Sequence, residues 1–345
     1  MKDKIFENFN PVKYRKAVIS AKPKLFDRVK KELPEIQKGV LLKNFTTLKI
    51  GGPARYFFDA KTNNDLVTAL KTAKKSKLPI FVLGGGSNLL VSDKGFNGLV
   101  VKVNNSSIEI KKNRIFIGAG VNLTKLAYIS ADNGLSGFEW AAGIPGTIGG
   151  AIYGNAHAFG TKISDLIESI KAIDLKTLKL KDFTNGQCRF SLKNSIFKKN
   201  KNLVILSAVI NLKEQDKEEV KSHIRKFLEY RMTNHPMNFP SAGSTFINPV
   251  VRIKNKKLLE KFTELKEYNK KGAIPAGYLI EKCGLAGKKI GKAQISEKHC
   301  NFIINLGGAE SKNVLSLMDL AKREVKKKFG IELKPEIQLV GFNKK

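Results

Sequence analysis

The sequence predicts an α+β protein: two mixed units followed by a smaller α+β domain. Three observations carry that reading. Short apolar runs bounded by turn residues alternate with amphipathic stretches, in the local order strand, helix, strand. Two segments, PIFVLGGGSN (79–88) and GIPGTIGGAIYGN (143–155), hold more glycine than a turn needs. The length of 345 residues, 42% of them hydrophobic, exceeds one ordinary core and suits two or three.

Taken in order, residues 1–40 read as a basic, partly helical extension in which KLFDRVKKEL (24–33) has helical spacing and stops before Pro34. Residues 41–98 form the first unit. A turn at Ile50–Pro53 leads to a strand around Tyr56–Phe58, then an amphipathic helix over 64–77 capped by Asn63 or Asn64, then a buried strand ending at Gly84. Residues 99–215 form the second unit. Its strands are expected at 99–103, 115–119, 170–175 and 203–212, with a helix over 123–133 closed by Gly134 and another starting near Gly149. A charged helix over 216–231 marks the junction to the last domain, 216–345. There the spacing predicts a helix over 276–283, a strand over 301–305, a helix over 313–329 closed by Gly330, and a final strand over 336–340.

Glycine is used where backbone must approach something closely or take positive φ. Consecutive N–H groups in a turn such as Gly84-Gly85-Gly86 make a nest for an anion, with Ser87 and Asn88 as further donors. A phosphate-bearing ligand fits; two tight turns without a ligand are the alternative. Neither nucleotide fingerprint matches. A dinucleotide G-x-G-x-x-G needs glycine where Leu89 stands, and no G-x-x-x-x-G-K-[ST] occurs.

Composition narrows the partners. The formal net charge is +33, but the basic residues are spread as pairs along the chain and only nine of 63 are arginine, the residue suited to bidentate readout. A lysine-rich surface that steers small anions is expected, without a specific nucleic-acid partner. Three isolated cysteines and four scattered histidines give neither a disulfide framework nor metal spacing, so no metal is expected. No apolar run reaches the roughly 20 residues of a membrane span, and MKDKIFENFN lacks a secretory apolar stretch. A cytoplasmic monomer with no membrane partner is expected.

Ser244 in SAGSTFINP has no histidine at a fixed offset, and Glu336, Lys193 and His299 read by themselves as surface or packing residues. The ordered segments FTTLKIGGPA (45–54), LGGGSNLLVSDKGFNGLV (83–100), GFEWAAGIPGTIGGAIYGNA (137–156), NSIFK (194–198), PSAGSTFINP (240–249), GYLIEKCGL (277–285) and KHCNFIIN (298–305) carry more. Together they resemble the UDP-N-acetylenolpyruvoylglucosamine reductase family, from about residue 40 to the end of the chain.

The resemblance implies the two-subdomain FAD-binding fold of the vanillyl-alcohol-oxidase (PCMH) type, followed by an α+β substrate domain. It implies FAD as cofactor, held by Gly84, Gly85, Gly86, Ser87 and Asn88 and by Gly143, Ile144, Pro145, Gly146, Thr147, Gly149 and Gly150. NADPH is the implied co-substrate, and the implied reaction reduces an enolpyruvyl UDP-N-acetylglucosamine to UDP-N-acetylmuramate for peptidoglycan. Ser244 matches the family's proton donor, Glu336 its terminal carboxylate, and Asn248 and His299 substrate contacts. Lys193 stands where the family usually has an arginine that steadies the enolate. Lysine keeps the charge but loses the fork.

Gln338, Ala286 and His157 also depart from the usual arginine, lysine and glycine. No tyrosine-bearing insertion is evident between Asn211 and Asn234, which implies the shorter variant. The departures leave one alternative: a diverged flavoprotein of the same fold with another substrate or weak activity.

Overall fold

A computed structural model describes residues 25–342; the expected extension over residues 1–24 lies outside them. Residues 25–40 are no extension. The helix Leu25–Glu32 buries Val29, and Leu33 and Ile36 follow it into the main core. Gln37–Leu41 then pairs antiparallel with Pro53–Ala60 and forms the edge of the first sheet.

That sheet runs in the order Gln37–Leu41, Pro53–Ala60, Phe96–Val103, Ile80–Leu83, the last three mutually parallel. Phe96–Val103 is hydrogen-bonded on both sides and buries Leu99, Val100 and Val101 fully, the continuous apolar run of a covered parallel strand. The division expected at residue 98 falls inside it. The helix Asn63–Lys75 lays Leu66, Ala69, Leu70 and Ala73 on the sheet. Its cap is Thr62 rather than Asn63 or Asn64: Thr62 Oγ1 accepts from Asp65 N, and Asp65 accepts from Thr62 N in return.

The second unit is a five-stranded antiparallel sheet with Leu203–Asn211 at its centre, between Ile167–Asp174 and Arg114–Gly118. The helices Leu123–Asp132 and Ile148–Gly154 are capped by Asn122 and Thr147. The charged helix spans Lys217–Asn234 with Asp216 as its cap, and it buries Val220 and Ile224 in this unit's core. The boundary expected at 216 therefore comes too early. One hydrophobic core runs through both units.

The last domain has an antiparallel sheet in the order Ser241–Ser244, Phe302–Asn305, Ala293–Ile295, Lys289–Ile290, covered by the helix Ser311–Phe329. Gly330 ends that helix at φ +71°, as expected. Two helices not anticipated, Lys256–Lys261 and Glu264–Lys271, bury only Leu265 between them, too little apolar periodicity to show through the lysines. Leu48, Ile50 and Leu90 of the first unit enter this domain's core. The final strand, Gln338–Val340, leaves its own domain and pairs parallel with Leu89–Val91, directly after the first glycine loop. Nearby, Asp93 Oδ2 accepts from Ser311 N at 2.8 Å and Ser311 Oγ at 2.7 Å.

Candidate active site

The two glycine segments meet. A Cβ on Gly85 would lie 2.9 Å from Gly146 Cα, and one on Gly84 would lie 2.7 Å from Thr147 Oγ1. Gly86 takes φ +65° with its α-carbon packed against the Phe45 carbonyl, a place only glycine fills without strain. On the second segment Gly143 has φ +77° beside Leu228 and Arg231, and Gly149 lies against Ala119. Thr147 Oγ1 accepts from Gly150 N at 3.4 Å, while Ile144 and Pro145 carry the chain between the glycines. Of the strand before the first loop only Leu83 is fully buried; Ile80, Phe81 and Val82 are half-buried, so the fully buried strand expected there is a partly covered one.

Among the described residues, the N–H groups of Gly85, Gly86, Ser87 and Asn88 donate to no main-chain carbonyl. Asn88 Oδ1 is buried without a partner. Free donors in a row and an orphaned polar atom beside them suit a diphosphate. Behind the loop, Lys102 Nζ donates to Gly84 O at 2.9 Å, and burial pushes this ammonium below its usual range against the opposing pull of Asp59. A cavity of about 540 Å³ opens here, lined by Phe45, Thr47, Gly85, Lys102, Met237 and Phe239 among others. The residues fit FAD.

A sheltered charged corner, the candidate reacting corner, is assembled from three distant stretches. Lys193 Nζ lies 2.7 Å from Glu336 Oε1, with side chains only 20% and 14% exposed. Lys193 sits in the turn Ser191–Asn194 at φ +54°. Glu336 enters the final strand: Asn88 Nδ2 donates to its carbonyl at 3.3 Å, and Gln338 N donates to Asn88 O at 3.0 Å. Glu336 N donates to Thr245 O at 2.8 Å, which puts the residue after Ser244 alongside it. Ser244 ends its strand opposite Phe302. Asn301 fixes this edge, accepting from Phe246 N at 2.9 Å and donating to Phe246 O at 2.8 Å. His157 faces the same pair; burial, then the Lys193 charge, hold its imidazole below the usual range, with Glu336 opposing.

Asn248 and His299 are placed differently. Asn248 Oδ1 accepts from Ala276 N at 3.0 Å and so caps the helix Ala276–Lys282. His299 Nδ1 accepts from Asn301 N at 3.2 Å, and its ring lies against Phe302 and, 5.5 Å away, His235. Burial pushes both imidazoles down, His235 to about 4 with His299, Arg231 and Lys298 adding to it. Arg231 is buried and donates to Ala142 O at 3.0 Å and Trp140 O at 2.9 Å, tying the long helix to the second glycine segment.

Several of these residues escaped sequence reasoning. The sequence offers Asn88 as a ligand donor, yet it also bridges to Glu336; its position beside the glycines is the available signal. Lys102 and Arg231 carry no signal, being two basic residues among 63.

Comparison with known proteins completes the picture. The family described as UDP-N-acetylenolpyruvoylglucosamine reductase, C-terminal domain, matches residues 235–340, and the one described as FAD binding domain matches residues 54–177. UDP-N-acetylenolpyruvoylglucosamine reductase of Caldanaerobacter subterraneus is 36% identical over 92% of this chain and 98% of its own. That of Bacillus subtilis is 36% identical over 92% of this chain and all of its own. The crystal structure of the Thermus caldophilus reductase superposes with a TM-score of 0.70 at 30% identity, covering 89% of this chain and 99% of that one. With its flavin cradle, its separate α+β domain and these relatives along nearly its whole length, the chain belongs to the UDP-N-acetylenolpyruvoylglucosamine reductase family.

Proposed function

We propose that this chain uses NADPH to reduce UDP-N-acetyl-3-O-(1-carboxyvinyl)glucosamine to UDP-N-acetylmuramate, the reduction that yields this peptidoglycan precursor. The observation that carries the reading is the 2.7 Å Lys193–Glu336 pair, half sheltered from water beside the Ser244 edge and the glycine loop. When bound, FAD would supply the redox chemistry, hydride transfer between NADPH and the vinyl ether of the sugar.

The chain's own residues do the rest. Gly84, Gly85, Gly86, Ser87 and Asn88 hold the diphosphate from one side, and the Gly143–Gly150 segment closes from the other. Negative charge develops on the carbon next to the substrate carboxylate, and preorganised charge there is the largest contribution a site makes to such a step. Lys193 supplies that charge. Ser244 Oγ gives the proton to the carbanionic carbon. Glu336 holds the Lys193 ammonium in place through its ion pair. The last domain, from about residue 235, binds the UDP-sugar, with Asn248 and His299 ordering its walls. We read the chain as a cytoplasmic monomer with only small-molecule partners; among the described residues no helix is long and apolar enough to cross a membrane.

Colour tests this directly. The purified protein is expected to be yellow, to bleach with NADPH under anaerobic conditions, and to recolour on addition of the enolpyruvyl UDP-sugar. A colourless protein overturns the flavin reading, and bleaching without recolouring overturns the substrate.

A further inference from the structure

The Lys193–Glu336 contact depends on a backbone that lysine rarely adopts. At φ +54° Lys193 lies in the left-handed region, which is strained for a residue with a Cβ and persists only where surroundings impose it. Two local bonds help: Ser191 N and Asn194 N each donate to the other's carbonyl at 3.1 Å. They close the turn but leave the Lys193 carbonyl free. Lys198 takes it. Its Nζ donates to Lys193 O at 2.8 Å, reaching back from the short helix Ile196–Lys199, whose cap Ser195 is in turn anchored by Oγ donating to Tyr153 O at 2.8 Å.

Lys198 is partly buried and, like Lys102 at Gly84, gives its hydrogen bond to a main-chain carbonyl, with no carboxylate in ion-pair contact among the described residues. Burial holds the Lys198 ammonium below its usual range while the Glu336 charge draws it back up, so it stands within electrostatic reach of the same carboxylate.

We propose that Lys198 is a positioning residue for the reductive step: by holding the Lys193 carbonyl it fixes the left-handed turn that aims the Lys193 ammonium at Glu336 and the developing enolate. This rests on the functional reading above. Lys198 touches no reacting atom; it acts through Lys193.

A double-mutant cycle followed by stopped-flow tests the assignment, with the two half-reactions observed separately. Lys198→Met is expected to leave flavin content and bleaching by NADPH unchanged and to slow recolouring by the enolpyruvyl UDP-sugar roughly 10- to 100-fold, the scale of an ångström-sized misplacement. Lys198→Arg, which keeps a donor, is expected to recover most of that rate. In a Lys193→Met background, Lys198→Met is expected to add nothing.

Unchanged recolouring in Lys198→Met, an equal further loss in the Lys193→Met background, or a parallel fall of flavin content and both half-reactions would each overturn the proposal. A crystal structure of Lys198→Met separates this from the functional reading. Lys193 is expected to leave φ +54° and the ion pair to open. A retained 2.7 Å pair refutes the role of Lys198 whatever the substrate proves to be.

Discussion

The flavin cradle and the reacting corner lie on either side of Asn88, and they are built from different material. The cradle is backbone against backbone. Gly85 meets Gly146, Gly86 meets Phe45, and almost nothing in it depends on where a long side chain points. The corner is side chain against side chain: Lys193 from a turn in the second unit, Glu336 from the last strand, and Ser244 from the edge of another sheet. A cradle of the first kind holds a constant part of its ligand, a diphosphate, and leaves no room for an added atom at Gly84, Gly85 or Gly86. A corner of the second kind can be retuned by a single substitution, as the lysine at 193 illustrates.

Glu336→Gln sharpens that contrast most. It leaves the Lys193 ammonium without its carboxylate partner and is expected to slow recolouring roughly 100-fold, the scale of a misplaced catalytic charge, while bleaching by NADPH proceeds as before; equal loss in both half-reactions would break the separation. Gly85→Ala attacks the other side. A Cβ 2.9 Å from Gly146 Cα forces the segments apart, costing about 1–3 kcal/mol, so FAD titrated into the apoprotein should bind roughly 10- to 100-fold more weakly with little effect per bound flavin.

Lys193→Arg is expected to raise recolouring modestly, by about 1 kcal/mol or roughly fivefold, since a fork can grip the carboxylate twice. A rate unchanged or lowered shows that Lys193 with its Lys198 strut is already optimal. Asp93→Ala removes the acceptor for Ser311 and should lower stability by about 1 kcal/mol, read in thermal denaturation, without touching flavin affinity.

The smallest effect concerns acidity. His235 is held near 4 by burial and its cationic neighbours, against about 6.5 when unfolded. The unfolded chain therefore takes up the proton first, and this contribution to stability is complete above about pH 6.5 and lost as pH falls towards 4. His235→Phe should flatten the decline in melting temperature between pH 7 and 5; an identical slope would show that His235 plays no part in it.

The cradle was legible in the sequence because its information is local. Ten residues ending in GGGSN and thirteen around GIPGTIGG announce close backbone approach wherever they occur. The elements were legible for the same reason: Leu66, Ala69, Leu70 and Ala73 repeat at helical spacing, and Leu203–Ile210 is an apolar run broken only by Ser207. The corner was not. Nothing near Glu336 distinguishes it from other carboxylates until the final strand pairs with Leu89–Val91, a contact about 250 positions away along the chain. The unit boundaries at 98 and 216 failed similarly, because Phe96–Val103 and Lys217–Asn234 declare which core they join only through packing. Thr62 as a cap is readable, since Thr62-x-x-Asp65 is a capping box, but Asn63 and Asn64 beside it are equally good cap residues by type.

The parallel pairing of Gln338–Val340 with Leu89–Val91 also imposes an order in time. Every glycine of the cradle, and the core beneath it except Val340, is synthesised before the strand that brings Glu336. Domains fold as units as they emerge from the ribosome. On the function proposed above, a nascent chain can thus close around its flavin before it carries Glu336, and a chain cut short before residue 336 is expected to be a yellow protein with no reductive step to perform.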